Sequence, residues 1–173
     1  MSEVEKPEVL ITGAGGALAQ NVINQLKDQY RVVLVDFRRR VQFDEGMSSY
    51  RVEYNKRGFE DIFRKHDIQA VIHLGRMGLY ESTHRNRYNH NVLGTQRLLD
   101  LCHKYDVHQV IVLSTFFVYG ASPYNSALIS EDQPLKASEL TMDLVDSVEL
   151  ENLANIYLWK YPELNITILR PCN

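Results

Sequence analysis

Glu8-Val-Leu-Ile-Thr-Gly13-Ala-Gly15-Gly16-Ala-Leu-Ala19 is the stretch that decides the fold of this chain. Val9, Leu10 and Ile11 form a short apolar run that stops at a glycine cluster, and a helical pattern of Leu18, Val22, Ile23 and Leu26 begins directly after it. The order is strand, tight turn, helix. Such a turn leaves the first N–H groups of the helix unpaired above the strand end, with the positive end of the helix dipole behind them, and a diphosphate fits that place. Gly13 permits the turn, Gly15 or Gly16 lets a ligand approach the backbone, and the small Ala19 lets the helix lie on the sheet. The diphosphate is expected over Gly13 to Leu18, against Gly16, Ala17 and Leu18. A second run, Arg31-Val-Val-Leu-Val-Asp36, ends in an acid 23 residues beyond Gly13. That is close to the roughly 20-residue offset at which a carboxylate takes the hydroxyls of an adenosine ribose.

The beat of strand and helix continues outward from this turn. Residues 1–7 are polar and read as a frayed start; a loop with Gly46 follows the second strand, and a short third strand is expected around Tyr50 to Tyr54. Phe59, Ile62 and Phe63 mark one face of a helix, and Ala70-Val-Ile-His-Leu74 is a fourth strand closed by Gly75. A helix is expected over Asn91 to Lys104, a fifth strand over His108 to Ser114, a long loop to Pro134, a last helix from Ser138 or Thr141 to Lys160, and a sixth strand over Asn165 to Arg170. Strands that alternate with helices and read as continuous apolar runs predict an α/β fold: a doubly wound parallel sheet of six strands with helices on both faces. The whole chain, 1–173, reads as one domain.

Composition narrows the function classes. A net charge of -3 gives no footprint for nucleic acid or an acidic membrane. The two cysteines, Cys102 and Cys172, do not make a disulfide framework, and Cys102 sits in an apolar helical pattern, so a cytoplasmic protein is expected. Six scattered histidines do not form a metal-ligand pattern, and no metal is expected. No apolar run approaches membrane-spanning length.

Taken together, the motifs resemble the extended short-chain dehydrogenase/reductase family, in its NAD-dependent epimerase/dehydratase branch. Thr12-Gly13-Ala-Gly-Gly16-Ala-Leu-Ala19 is similar to the family's T-G-x-x-G-x-x-G turn, with Ala19 in place of the third glycine. Val71-Ile-His-Leu-Gly75 resembles V-I-H-L-A, Asn91-Val-Leu-Gly94-Thr95 matches N-V-x-G-T, Leu113-Ser-Thr115-Phe-Phe-Val-Tyr119-Gly120 resembles S-S/T-x-x-V-Y-G, and Leu169-Arg170-Pro171 resembles L-R-P. The resemblance implies an NAD(P)-binding Rossmann fold with Gly13, Gly16, Ala17, Leu18, Asp36, Phe37, Leu74, Gly75 and Asn91 toward the cofactor and Thr115 toward a substrate oxygen. For Asn91 an N-cap of the following helix is a second reading, and for Thr115 a local backbone bond at the strand end. Asp36 favours NAD, since a 2′-phosphate would meet a like charge; Arg38, Arg39 and Arg40 argue for NADP, and NAD is preferred because the acid stands at the strand end. A nucleotide sugar is the implied partner of the full-length protein, and a homodimer through the helices at 91–104 and 141–160 is implied as well.

The resemblance breaks at two places. The family's chemistry rests on a Tyr and a Lys four residues apart, where the ammonium lowers the phenol pKa and holds the nicotinamide ribose. No tyrosine here has a lysine four residues later; aligning Glu151 with the family's helix glutamate puts Asp143 and Ser147 at the two positions. Asp143 is therefore the candidate base, expected on one helix face with Ser147 and close to Thr115. The chain also stops after the sixth strand, where relatives continue into a substrate domain, so a truncated chain is expected. Three functions remain open at this stage: the cofactor domain of an epimerase/dehydratase with altered catalytic residues, a non-catalytic dinucleotide-binding regulator or scaffold, and a Rossmann-like methyltransferase, which the later motifs disfavour.

Overall fold

A computed structural model describes residues 6–41, 44, 47–54, 56–78 and 82–172, with only the backbone of Ser138 and Leu140; the expected frayed start at 1–5 and the Gly46 part of its loop lie outside the described residues. The elements run β1 (Glu8–Thr12), α1 (Ala17–Leu26), β2 (Arg31–Asp36), β3 (Ser48–Arg51), α2 (Arg57–Lys65), β4 (Ile68–His73), α3 (His84–Tyr88), α4 (Gly94–Lys104), β5 (Gln109–Leu113), α5 (Ala137–Leu140), α6 (Val145–Lys160) and β6 (Asn165–Leu169). The six strands make one sheet in the order β3-β2-β1-β4-β5-β6, and every neighbouring pair is parallel. The order reverses direction between β1 and β4, which is where ligands of open α/β sheets bind, above the carboxyl ends of the strands.

Strand alternation divides the core. Leu10, Val33, Val35, Val71, Val110 and Val112 point to one side, where α2, α4 and α6 cover them with Phe59, Ile62, Leu98, Leu101 and Leu150. Val9, Ile11, Val32 and Leu34 point to the other, under Ala19 and Ile23 of α1. Both faces of β1 and β2 are thus buried, which is why these strands read as unbroken apolar runs. Farther along the sheet, the α1 side is only partly covered: Ile111 and Leu113 are half-buried and Leu169 is exposed.

Other strand ends shift by one or two residues, and three boundaries differ from the sequence reading for a structural reason. The third strand lies at Ser48–Arg51 rather than 50–54, because its partner β2 ends at Asp36, which pairs with Arg51. The helix expected from Asn91 starts earlier, at Thr83, whose side chain caps α3, and passes through a π-helical turn at Asn89–Leu93 into α4. Asn91 is therefore inside a helical run and is not its N-cap. The last helix begins at Val145, after a 3₁₀ turn at Met142–Leu144 capped by the Thr141 hydroxyl.

Candidate functional site

The glycine turn is built from the backbone outward. Gly13 has φ +67°, and a Cβ there would lie 2.5 Å from the Gly75 Cα, so glycine is required both for the conformation and for the contact between the ends of β1 and β4. The Ala14 N–H donates to the Val35 carbonyl at 3.1 Å and the Gly16 N–H to the Gly13 carbonyl at 3.0 Å. The first α1 bond runs from Gln20 to Gly16, so the N–H groups of Ala17 and Leu18 have no backbone acceptor among the described residues, and both residues are exposed, next in the chain after Gly15 and Gly16, which line a groove that Ala17 and Leu18 do not. With the dipole of a ten-residue helix behind them, these donors fit a phosphate. Ala19 is buried on the sheet, as a small third residue of this turn should be.

Asp36 closes the turn. Its Oδ2 accepts from the Gly15 N–H at 3.0 Å, and its Oδ1 accepts from the N–H groups of Arg38 at 2.8 Å and Arg39 at 3.3 Å. The Arg39 guanidinium crosses the same turn and donates to the Gly15 carbonyl at 2.7 Å. Gly13, Gly16, Asp36, Phe37, Leu74, Gly75 and Arg76 line one continuous groove, so seven of the residues expected or adjacent there come together. Phe37 also borders a neighbouring pocket with Glu53, Tyr54, His90 and Gly94, and its ring packs on His90 with centroids 4.2 Å apart.

A buried chain of hydrogen bonds fixes the floor of this groove. The Thr95 hydroxyl donates to the Asn91 carbonyl at 2.6 Å, so toward His73 Nε2, 2.8 Å away, it accepts. The assigned tautomer therefore carries its proton on Nε2, and Nδ1 accepts from the Thr12 hydroxyl at 2.7 Å, which in turn accepts the Gly75 N–H at 3.3 Å. Complete burial pushes the His73 pKa down to about 3, which keeps the ring neutral in this chain of bonds. Asn91, fully buried, accepts the Met77 N–H at 2.8 Å and donates to the Met77 carbonyl at 3.0 Å and to Asp146 Oδ2 at 2.5 Å. It anchors the segment after β4 from beneath and does not line the groove itself.

The residues expected to carry chemistry are distributed differently from the sequence reading. Thr115 lines a second pocket with Arg76, Met77, Leu144, Asp146 and Ser147, and its hydroxyl accepts the Phe117 N–H at 3.3 Å, the local backbone bond of its second reading. Asp143 is not among the residues lining that pocket. Its side chain is 61% exposed and sits 3.4 Å from His84 Nε2, because a 3₁₀ turn precedes α6 and the one-turn spacing of an α-helix does not hold across it. Ser147 is buried and accepts from Arg76 Nη2 at 2.5 Å. Among the described residues, the carboxylate lining this pocket is that of Asp146, whose Oδ1 accepts no hydrogen bond and lies 3.9 Å from Arg87 Nη2. Sequence reasoning missed Arg76 and Asp146. A cation directly after the His-Leu-Gly motif was the available signal for the first; nothing short of the true start of α6 identifies the second.

Behind the pocket, the fully buried Glu151 holds Arg170 through contacts of 2.7 to 3.1 Å and accepts from the Ser114 hydroxyl, while Arg170 Nη1 donates to the Tyr119 hydroxyl at 2.7 Å. This network ties α6 to the ends of β5 and β6. Among the described residues no group of three His, Cys, Asp or Glu side chains could hold a metal ion, and no helix is long and apolar enough to cross a membrane.

Residues 9–173 match the NAD dependent epimerase/dehydratase family. A UDP-glucose 4-epimerase of Dictyostelium discoideum is 29% identical over 75% of this chain and 42% of its own length. One from Yersinia pestis is 30% identical over 95% of this chain and 52% of its own length. Among solved structures, MoeE5 in complex with UDP-glucose and NAD superposes with a TM-score of 0.80 at 29% identity, over 94% of this chain and 53% of MoeE5. The chain thus spans about half the length of the curated relatives it matches.

Proposed function

The chain belongs to the NAD-dependent epimerase/dehydratase family, and on that premise we propose that it is the NAD(H)-binding part of a nucleotide-sugar epimerase/dehydratase-like protein in which the family's Tyr/Lys pair is replaced. The observation that carries this reading is the turn over Gly13 to Leu18, with open N–H groups at a positive helix end beside the buried Asp36 carboxylate. NAD, when bound, accepts and returns a hydride; the chain's own residues hold and orient it. Ala17 and Leu18 donate to the diphosphate, and Gly16 keeps the approach open. A carboxylate has about four acceptor positions, and backbone N–H groups take three of those on Asp36, which fixes its orientation and leaves room for a ribose hydroxyl. A 2′-phosphate at that place would face like charge, so NAD is preferred over NADP, with Arg39 the residue that works against the preference.

A UDP-sugar is the substrate class for the full-length protein, by analogy with MoeE5, solved with UDP-glucose and NAD. A homodimer through α4 and α6 accords with the exposure of Ile156 and Trp159 on α6. The second reading, a non-catalytic dinucleotide-binding regulator, is favoured by the outward position of Asp143 and by Ser147 in place of a lysine. Turnover of UDP-sugars by the full-length protein with NAD separates the two.

The cofactor reading is tested by fluorescence titration of NADH and NADPH into the full-length protein and its Gly16→Val variant. Gly16 has φ -79°, and a Cβ there meets only the Gly13 carbonyl at 3.3 Å, so the variant fills the approach without requiring a forbidden backbone. Saturable binding, tighter for NADH and lost in Gly16→Val, is expected; no saturable binding of either dinucleotide by the wild type would overturn the proposal.

A further inference from the structure

Arg76 stands where the cofactor groove meets the pocket that holds Thr115. It lies three residues beyond β4, beside Gly75 in the groove lining and beside Met77 and Ser147 in the pocket lining. Its position is not explained by the needs of the fold. Nη2 donates to the Ser147 hydroxyl at 2.5 Å, but Nε is buried with no hydrogen-bond partner among the described residues. A buried unpaired donor costs about 1 to 3 kcal/mol and calls for a partner. In Asp146, which lines the same pocket, Oδ1 is buried and accepts no hydrogen bond among the described residues, its ion-pair partner Arg87 Nη2 standing off at 3.9 Å. A donor and an acceptor that both lack a hydrogen bond in residues lining one pocket match a hydroxyl pair, which both gives and takes hydrogen bonds.

The place of the charge on α6 sharpens the assignment. Ser147 occupies the position at which the resemblance puts a lysine, and its hydroxyl holds the Arg76 guanidinium at 2.5 Å, so a cation stands over that position of α6. Burial pulls the guanidinium's pKa below its ordinary value, and the carboxylates of Asp146 and Glu151 offset only part of that.

We propose that Arg76 is a cofactor-positioning residue: held by Ser147 and faced by Asp146, its guanidinium binds the ribose hydroxyls and adjoining phosphate of the nicotinamide half of a dinucleotide. The cation comes from the end of a strand instead of from the helix. This assignment rests on the reading that the groove takes NAD(H), and it adds which residue holds the half farther from Asp36.

The test compares three ligands in the full-length protein: AMP, which fills only the adenosine end, ADP-ribose, which adds the second ribose and phosphate, and NADH. Arg76→Gln should weaken ADP-ribose and NADH by about 10- to 100-fold, the loss expected for a charge-assisted hydrogen bond, and leave AMP unchanged. Adding Ser147→Lys to Arg76→Gln should recover most of the loss, a rescue that a merely structural role would not give. Ser147→Ala, which removes a hydroxyl and no charge, should weaken NADH a few-fold without affecting AMP, and it carries the test should Arg76→Gln not fold. Unchanged NADH affinity in Arg76→Gln or in Ser147→Ala, or an equal loss for AMP, would overturn the assignment while leaving the cofactor reading intact. Failure of the wild type to bind any of the three would remove the cofactor reading and this assignment together.

Discussion

The two ends of the sheet solve the same problem in different ways. At β1-α1-β2 the site is made of backbone: a positive-φ glycine, open N–H groups and a carboxylate fixed by three N–H donors from its own and the neighbouring turn. Around β5, α6 and β6 it is made of side chains borrowed across elements, with Arg76 from after β4, Asp146, Ser147 and Glu151 from α6 and Arg170 from after β6. A backbone site needs particular residues at particular spacings, whereas a side-chain site needs only the right group at the right point in space. The first half is therefore tied to a motif, and the second only to where its groups stand.

The largest effect should come from the second half. Glu151→Ala leaves Arg170 and Ser114 without their shared buried partner, and removing one member of a buried ion pair costs about 3 to 5 kcal/mol. Urea denaturation measures this directly, and a loss under about 1 kcal/mol would mean that the pair behaves as a surface contact and that this half is less tightly organised than its burial implies.

Gly13→Val tests the backbone half. The positive φ and the 2.5 Å approach to Gly75 together predict a loss of about 2 to 4 kcal/mol, from strain and overpacking. A variant as stable as the wild type would show that the ends of β1 and β4 separate readily, and would break the claim that backbone contact defines this half.

His73 lies between the halves, bonded to Thr12 on one side and Thr95 on the other. Its folded pKa, about 3, is below the ordinary value of 6.5, so between these pH values the unfolded chain binds more protons than the folded one. The stability that this group contributes is complete above pH 6.5 and is lost as the pH falls through that window toward 3, with a slope of at most about 1.4 kcal/mol per pH unit. His73→Gln should be less stable near neutrality but should show a flatter dependence over the same range. An unchanged slope would assign the acid sensitivity to other groups.

The legible parts of the sequence were those in which one local rule suffices. Val9 to Ile11 and Val32 to Val35 announced strands covered on both faces because parallel strands bury every residue, and Gly13 with Ala19 announced the turn because neither position tolerates bulk. Asn91 was found as a residue but is not the helix cap of its second reading, since nothing local signals the π-helical turn that carries it inward to Met77 and Asp146. The place expected for Asp143, on one helix face with Ser147, was missed for a related reason. The spacing of four residues means one helix face only if the helix has begun, and Thr141 caps a 3₁₀ turn that delays α6 to Val145.

The sequence by itself determined the parallel α/β sheet, the glycine turn and the acid at the end of β2, because strand burial, backbone sterics and helix-end electrostatics act over a few neighbouring residues. Only the tertiary structure decided which carboxylate and which cation share the pocket with Thr115. Arg76 and Ser147 are 71 positions apart, and their contact exists because β4 and α6 are brought together by the packing of the whole sheet.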